Sequence, residues 1–225
     1  MRTDVRSCAM PISRSATERH EERTQLARLI EPTSLAADQL LPVLPPLAEL
    51  LPYGGLRRGT VVAVSGSLRL ALALAAGTTQ AGCWAAAVGV PELGMVAAAE
   101  TGVVLQHLAL VPHPGRQWAR VVATLLGGVD LVLARSPAAA GQSVRHQLAT
   151  RARERGSVLV ALGAWPHPDL SLHVSGGPWT GVEAGTGRLL GRRAHVVTTG
   201  RGAASRPHEA RLWLPFRDGT VQPAT

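Results

Sequence analysis

The sequence contains no lysine and no asparagine among its 225 residues, so all of its side-chain positive charge, histidine aside, comes from 23 arginines. Lysine is the residue that a phosphate-binding P-loop, a Schiff base or an amine general base requires. Arginine does not easily replace it in these roles, because the guanidinium group stays protonated and is not a nucleophile. The composition therefore excludes mechanisms that depend on a lysine side chain.

Aromatic residues and cysteine are also scarce. The chain has one Phe, one Tyr and two cysteines, whereas 46% of its residues are hydrophobic. Cys8 and Cys83 fit no metal-ligand spacing and no disulfide framework, which is typical of a protein in a reducing compartment. The start of the chain shows no apolar signal segment, and the longest apolar run, 68–76, is too short to cross a bilayer. We expect a cytoplasmic protein without a membrane segment.

The formal net charge of +8 is unevenly distributed along the chain. Residues 188–217 contain seven arginines and one acid, whereas three arginines balance three acids within residues 59–134. Two explanations of the excess positive charge stay open. A GC-rich genome encodes arginine in place of lysine, or the arginines form a surface that faces an anionic partner. The uneven distribution favours the second. We predict a basic surface for DNA or a partner protein that consists of Arg188, Arg192, Arg193, Arg201, Arg206 and Arg211.

Composition divides the chain into four segments. Residues 1–34 are charged and form either a flexible tail or a tail with a helix over 17–30. Residues 35–53 are a proline-rich connector. We predict a folded core over 54–216 and a short tail over 217–225.

Alternating strands and helices are predicted within the core. Five apolar runs that match buried strands cover 60–65, 84–89, 107–111, 129–134 and 157–163, and Trp84 is expected inside the core. The predicted helices between them cover 68–81, 91–104, 116–126 and 143–155. This alternation predicts an α/β fold with a mostly parallel sheet and helices on both faces. From residue 170 onward, strand-like runs separated by Gly and Pro predict an antiparallel C-terminal extension on the sheet edge.

The first strand-to-helix turn has the sequence Ser65-Gly66-Ser67. A P-loop that began at Gly66 would need Gly, Lys and Ser or Thr at positions 71–73, and the chain has apolar residues there. The strand over 129–134 ends without the carboxylate that would hold a metal, since Asp130 lies at its opposite end. We therefore predict a degenerate phosphate loop, no catalytic residues, no metal and no cofactor.

Other residues with functional chemistry are dispersed. The eight histidines show no metal-ligand spacing. Trp165 and Trp179 fall in predicted loops, where they would contact a base or a partner, and the alternative for each is a packing role. The run 200–202 either holds a phosphate backbone or forms a flexible turn between edge strands.

Several segments resemble the RecA-like superfamily. The run 54–66 resembles the entry to a RecA-type core, and 128–133 resembles its fourth strand. The runs 66–67, 151–156, 200–204 and 210–215 are similar to the actinobacterial ImuA-type accessory proteins of the mutagenic DNA-repair cassette. The resemblance covers about residues 40–216. It implies a non-catalytic partner in damage-induced translesion synthesis, working with an inactive ImuB-type Y-family polymerase homologue and an error-prone C-family polymerase.

Two functions from different classes follow. The first is an adaptor whose arginine-rich C-terminal third contacts these polymerases, with DNA as a further contact and recruitment to the nucleoid at damaged DNA. The second is an ATP-binding or weakly ATP-hydrolysing RecA-like protein, in which arginines replace the missing lysine. An intermediate alternative has the Gly66 amide and the helix N-terminus binding an anion without hydrolysis. The sequence favours the adaptor, because nothing in it replaces both the lysine and the carboxylate.

Overall fold

The computed structural model describes residues 39–183 and 186–224, so the predicted tail over 1–34 lies outside the described residues. The described chain opens with β1 (Leu40–Leu41), α1 (Pro45–Ala48) and β2 (Leu56–Arg57), and β1 pairs antiparallel with β2. Leu41, Leu47 and Leu50, from the segment predicted as a connector, are fully buried. From residue 39 onward, this segment is therefore part of the core.

The central part of the chain alternates strands and helices as the sequence predicts. Its five strands are β3 (Val61–Ser65), β4 (Ala85–Val88), β5 (Leu108–Val111), β6 (Leu131–Arg135) and β7 (Val158–Leu162). Its four helices are α2 (Leu68–Gln80), α3 (Met95–Glu100), α4 (Trp118–Leu125) and α5 (Gln142–Arg155). All nine elements lie at predicted positions, and α3 is much shorter than predicted.

Two predictions in this region are wrong. The helix predicted from Pro91 begins only at Met95, because Gly94 before it still has extended backbone angles and caps the helix start. Trp84, expected in the core, is 48% exposed. It precedes β4 at the amino edge of the sheet, and its ring lies against His107 with the ring centroids 5.4 Å apart.

Five further strands complete the sheet: β8 (Leu170–Ser175), β9 (Trp179–Glu183), β10 (Thr186–Gly200), β11 (His208–Trp213) and β12 (Gln222–Pro223). The strand order is β5-β4-β6-β7-β3-β8-β10-β11-β12, and β9 pairs with the first part of β10. The first six strands in this order are parallel, and the later pairings are antiparallel. The predicted antiparallel extension is thus present, and it begins at β10.

Strand β8 was predicted as part of the antiparallel extension, and this is wrong, because β8 runs parallel to β3. The connection 163–169 causes this direction. It crosses over β3 from the carboxyl end to the amino end of the strand: Gly163 N donates to Val64 O at 2.8 Å, and Asp169 N donates to Val61 O at 2.9 Å. The chain therefore enters β8 from the same edge as it enters β3.

Helices cover the two faces of the sheet unequally. Helices α2 and α3 pack on one face, and nearly all of α2 is buried. Helices α4 and α5 pack on the other face over β6, β7 and β3. On that second face, no helix of the described residues covers β8, β10 and β11. These strands present polar side chains there, which we call the open face: His173, Arg193, His195, Glu209 and Arg211.

Candidate functional site

The turn between β3 and α2 uses all three residues that the sequence marks as a degenerate phosphate loop. Gly66 has φ +85°, and a Cβ added there would lie 2.1 Å from Val174 O, so only glycine fits. Ser67 caps α2, because its hydroxyl accepts a hydrogen bond from Leu70 N at 3.4 Å. Ser65 Oγ lies 2.9 Å from His173 Nδ1. Each residue therefore has a structural partner within the fold.

The carboxyl end of β6 carries Arg135, as the sequence predicts, and its guanidinium group forms an ion pair with Glu92. Asp130 lies at the amino end of the same strand. Its carboxylate accepts a hydrogen bond from Trp84 N at 2.9 Å and pairs with Arg58 Nη2 at 2.8 Å. The acids near β6 are thus held by neighbouring arginines.

Cys83 lies beside this amino-edge pair. Burial raises the pKa of the Cys83 thiol, and the Asp130 carboxylate raises it further, while the Arg58 guanidinium acts in the opposite direction. A raised pKa keeps the thiol protonated and lowers its nucleophilicity. This cysteine therefore lacks the electrostatic environment of a reactive thiol.

The six arginines of the predicted basic surface do not form one patch. Arg193 and Arg211 lie on the open face and line, with His195, a shallow cavity of about 310 Å³. Arg201 lies at the opposite end of β10, beside Asp169, whose carbonyl accepts a hydrogen bond from Arg201 N at 3.2 Å. Arg188, on the β9–β10 hairpin, and Arg206, before β11, are exposed, whereas Arg192 is half-buried. The predicted surface is therefore divided between two ends of the antiparallel strands.

The open face contains further ordered contacts. The Arg193 guanidinium lies over the Trp213 ring, 5.8 Å from its centroid. His195 Nε2 lies 3.1 Å from Glu209 Oε2, an ion pair when the imidazole is protonated. These contacts hold Arg193 and His195 in fixed positions on an exposed surface.

The two tryptophans singled out in the sequence have different surroundings. Trp165 lies in the loop 163–169, but only 8% of it is exposed, and Arg145 covers its ring at 5.8 Å. This burial argues against Trp165 as a direct base or partner contact. Trp179 lies in β9 rather than in a loop, and it is 46% exposed.

Sequence reasoning missed a groove that runs along α5, from the first turn of this helix to the amino edge of the sheet. It consists of two adjoining clefts of about 680 and 280 Å³ that share Asp169 and Arg201. Arg145 and Arg153 of α5 line the larger cleft, and Arg57 lines the smaller one. We call this the arginine groove: Arg57, Arg145, Arg153 and Arg201. The signal in the sequence is the eight-residue spacing of two arginines on one helix, which places them on one side of α5.

The fold and this site define a mixed α/β domain with a large, mostly parallel sheet and an arginine-rich surface outside its parallel core. The family model described as the MT3502 N-terminal domain matches residues 49–167, more than half of the chain, and the chain belongs to this family. It is 37% identical over 164 residues to the uncharacterized protein Rv3395c of Mycobacterium tuberculosis (strain ATCC 25618 / H37Rv). That alignment covers 68% of this chain and 80% of the relative.

Residues 39–183 and 186–224 contain neither a metal-ion site nor a membrane-spanning helix. No group of three or more His, Cys, Asp and Glu side chains in this part is arranged to hold a metal ion. No helix in the same part is both long and apolar enough to span a bilayer.

Proposed function

We propose that this protein is a non-catalytic, RecA-like accessory factor of damage-induced translesion DNA synthesis. In this role it bridges an inactive ImuB-type Y-family polymerase homologue and an error-prone C-family polymerase. The parallel sheet with an antiparallel C-terminal extension, together with β6 at the position expected for the fourth core strand, supports a RecA-like fold. The relative from an actinobacterial species supports the actinobacterial ImuA-type assignment.

The turn after β3 is the observation that carries the proposal. In an open α/β sheet, ligands bind at the carboxyl ends of the strands, where such a turn supplies backbone N–H groups to a phosphate. Here Gly66 packs against Val174, and the Ser67 hydroxyl caps α2. Packing and helix capping therefore account for the sequence of this turn without a bound nucleotide. This supports a scaffolding role for the protein rather than an ATPase activity.

The open face is the surface that we assign to a partner protein. It is a sheet face without a helix, and it presents Arg193, His195 and Arg211 around a shallow cavity. Arginine and tryptophan are enriched among the residues that dominate binding energies at protein interfaces, and Trp213 lies below Arg193. An acidic surface on a polymerase subunit would complement this face. The protein would act in the cytoplasm and reach the nucleoid through its partners during the SOS response.

The runner-up function is an ATP-binding or weakly hydrolysing RecA-like protein. No contact described above favours it, since arginines near the β3 turn are engaged elsewhere: Arg69 Nη1 donates to Gly219 O at 2.9 Å. Calorimetric titration of the full chain with Mg²⁺-ATP tests it directly. We expect no binding heat and no phosphate release. Micromolar binding of ATP with turnover would contradict the adaptor role and support an ATP-driven motor.

The adaptor role is tested with the double variant Arg193→Ala/Arg211→Ala. The matched control is Arg116→Ala/Arg120→Ala, which removes the same charge from exposed positions near helix α4. We expect the first variant to lose affinity for the ImuB-type homologue at least about tenfold in a pull-down titration, as for hot-spot residues. Damage-induced mutagenesis should fall with it, whereas the control keeps both.

Two outcomes would count against the adaptor role. One is unchanged affinity in the open-face variant with an unchanged melting temperature. The other is an equal loss in the control, which would indicate a general charge effect.

A further inference from the structure

The arginine groove exists because the connection between β7 and β8 contains no helix. Parallel strands are ordinarily joined by a crossover of a dozen or more residues, usually helical, that covers the sheet. Here seven residues, 163–169, cross over β3 as a loop. The space beside α5 that a crossover helix would fill is open, and it forms the cleft of about 680 Å³.

The groove carries charge that the described residues do not neutralise. Within the described residues, none of its four arginines forms an ion pair, whereas Arg58, Arg69 and Arg135 elsewhere each pair with an acid. Asp169 is the one acid that lines the two clefts, and its Oδ2 accepts a hydrogen bond from Val61 N at 2.9 Å. Four arginines against one aspartate leave a strong positive field along the groove.

The spacing of the arginines matches an extended anion. Arg145 and Arg153 are two helical turns apart, about 12 Å along α5, and Ala149 lies between them. A small side chain at that point lets a ligand lie close to the helix. Arg201 and Arg57 continue the line of charge into the smaller cleft. The groove thus offers positive charge at successive points rather than at one centre.

Arg145 is held in place before any ligand binds. Its guanidinium group lies 5.8 Å from the centroid of the Trp165 ring, and its Nε is buried without a hydrogen-bond partner. A fixed planar guanidinium binds phosphate oxygens in pairs and stacks on aromatic bases. At the other end of the groove, Tyr53 is 51% exposed and offers a second stacking surface.

We propose that the arginine groove binds a single strand of nucleic acid through its phosphate backbone. A charged groove that follows the backbone, with aromatic surfaces for a few bases, is the general form of single-strand binding sites. The groove lies between helix α5 and the loop 163–169. Its Arg57, Arg153 and Arg201 end lies at the amino edge of the sheet, opposite the edge where ligands of open α/β sheets bind. The proposal stands apart from the adaptor role, which uses the open face.

The experiment is fluorescence anisotropy of the full chain with a labelled 20-mer oligothymidylate, repeated over a salt series. The test variant is Arg153→Ala/Arg201→Ala, and Arg116→Ala/Arg120→Ala is again the matched control. Loss of two phosphate contacts should lower affinity about tenfold and reduce the slope of log K against log salt by about 1.4. The control should keep the wild-type affinity and slope, and a duplex of the same sequence should bind more weakly than the single strand.

Three results would overturn the proposal. The first is wild-type protein that does not bind the oligonucleotide at low salt. The second is equal loss of affinity in the test and control variants. The third is tighter binding of polyglutamate than of the oligonucleotide, with the polyglutamate binding lost in the same test variant. The groove would then be a site for an acidic peptide. Pull-down of the polymerase homologue by the test variant separates this proposal from the adaptor role, since it should be unchanged.

Discussion

The strands that are buried on both faces and the strands that are buried on one face differ in how their charges are arranged. Strands β3, β6 and β7 are buried on both faces, and their residues are apolar almost throughout. Strands β8 and β10 are buried on one face only, so apolar and polar residues alternate along them. The same sheet therefore contains one part that is buried on both faces and one part with a solvent-exposed face.

Arginines also fall into two groups, with and without an acidic partner within the described residues. Near the parallel strands, Arg58 and Arg135 are paired with acids and serve the fold. The arginines beside the β7–β8 connection and Arg201 after β10 have no such partner within the described residues. An unpaired guanidinium adds little to stability, because an exposed charge is already well solvated. This contrast indicates that the paired arginines contribute to the fold, whereas the unpaired ones are available for binding.

The largest expected effect concerns the junction of the two halves, where Gly66 of the β3 turn packs against Val174 of β8. Gly66→Ala would place a methyl group 2.1 Å from Val174 O at φ +85°. We expect a loss of about 3 kcal/mol in the free energy of unfolding, since both the contact and the backbone angle oppose the side chain. Urea denaturation followed by circular dichroism measures this loss.

Gly82→Ala is the control for this variant. Gly82 has φ +82°, almost the same angle, and a Cβ there would meet no atom within 4 Å. It should cost about 1 kcal/mol, the strain of the left-handed angle alone. If the free energy of unfolding falls equally in the two variants, the close approach of the β3 turn to β8 is not the reason why position 66 requires glycine.

A medium effect is expected within a single strand of the antiparallel half. Val196 of β10 is fully buried, and its neighbour Val197 points to the open face and is half-buried. Val196→Ala should destabilise the protein by about 2 kcal/mol, because it leaves a cavity in the core. Val197→Ala should cost about 0.5 kcal/mol or less. Equal losses would mean that the open face is covered in solution, for example by a second copy of the chain.

Much of the fold was predictable because the parallel half follows simple patterns. Buried parallel strands are continuous apolar runs between glycines, and β3, β6 and β7 were located to within two residues. The direction of β8 was not predictable, because it depends on a loop that crosses the sheet without a helix. The position of Trp84 was predicted wrongly because the strand begins one residue later, at Ala85. A shift of one residue at a strand end moves a side chain from the core to the surface.

The candidate site was predictable only in part. The three residues of the β3 turn and the arginine at the end of β6 were identified from spacing. The division of the six predicted arginines between two surfaces, and the joining of Arg201 with Arg145 and Arg153, depend on contacts between distant segments. A charge count along the chain carries no information about which segments meet in space.

The smallest expected effect compares two adjacent arginines with different surroundings. Arg58 pairs with Asp130 at 2.8 Å and also donates to Gly156 O at 3.4 Å. Arg57 lines the arginine groove and forms no ion pair with any residue that the structure describes. Arg58→Ala should lower the free energy of unfolding by about 1 kcal/mol, because it leaves a half-buried carboxylate without its cation. Arg57→Ala should leave stability unchanged within about 0.5 kcal/mol and weaken oligonucleotide binding instead. Urea denaturation and anisotropy on the same two samples measure both quantities. If Arg57→Ala is less stable than the wild type but binds the oligonucleotide normally, Arg57 contributes to stability and not to binding. The binding groove would then consist of the other three arginines.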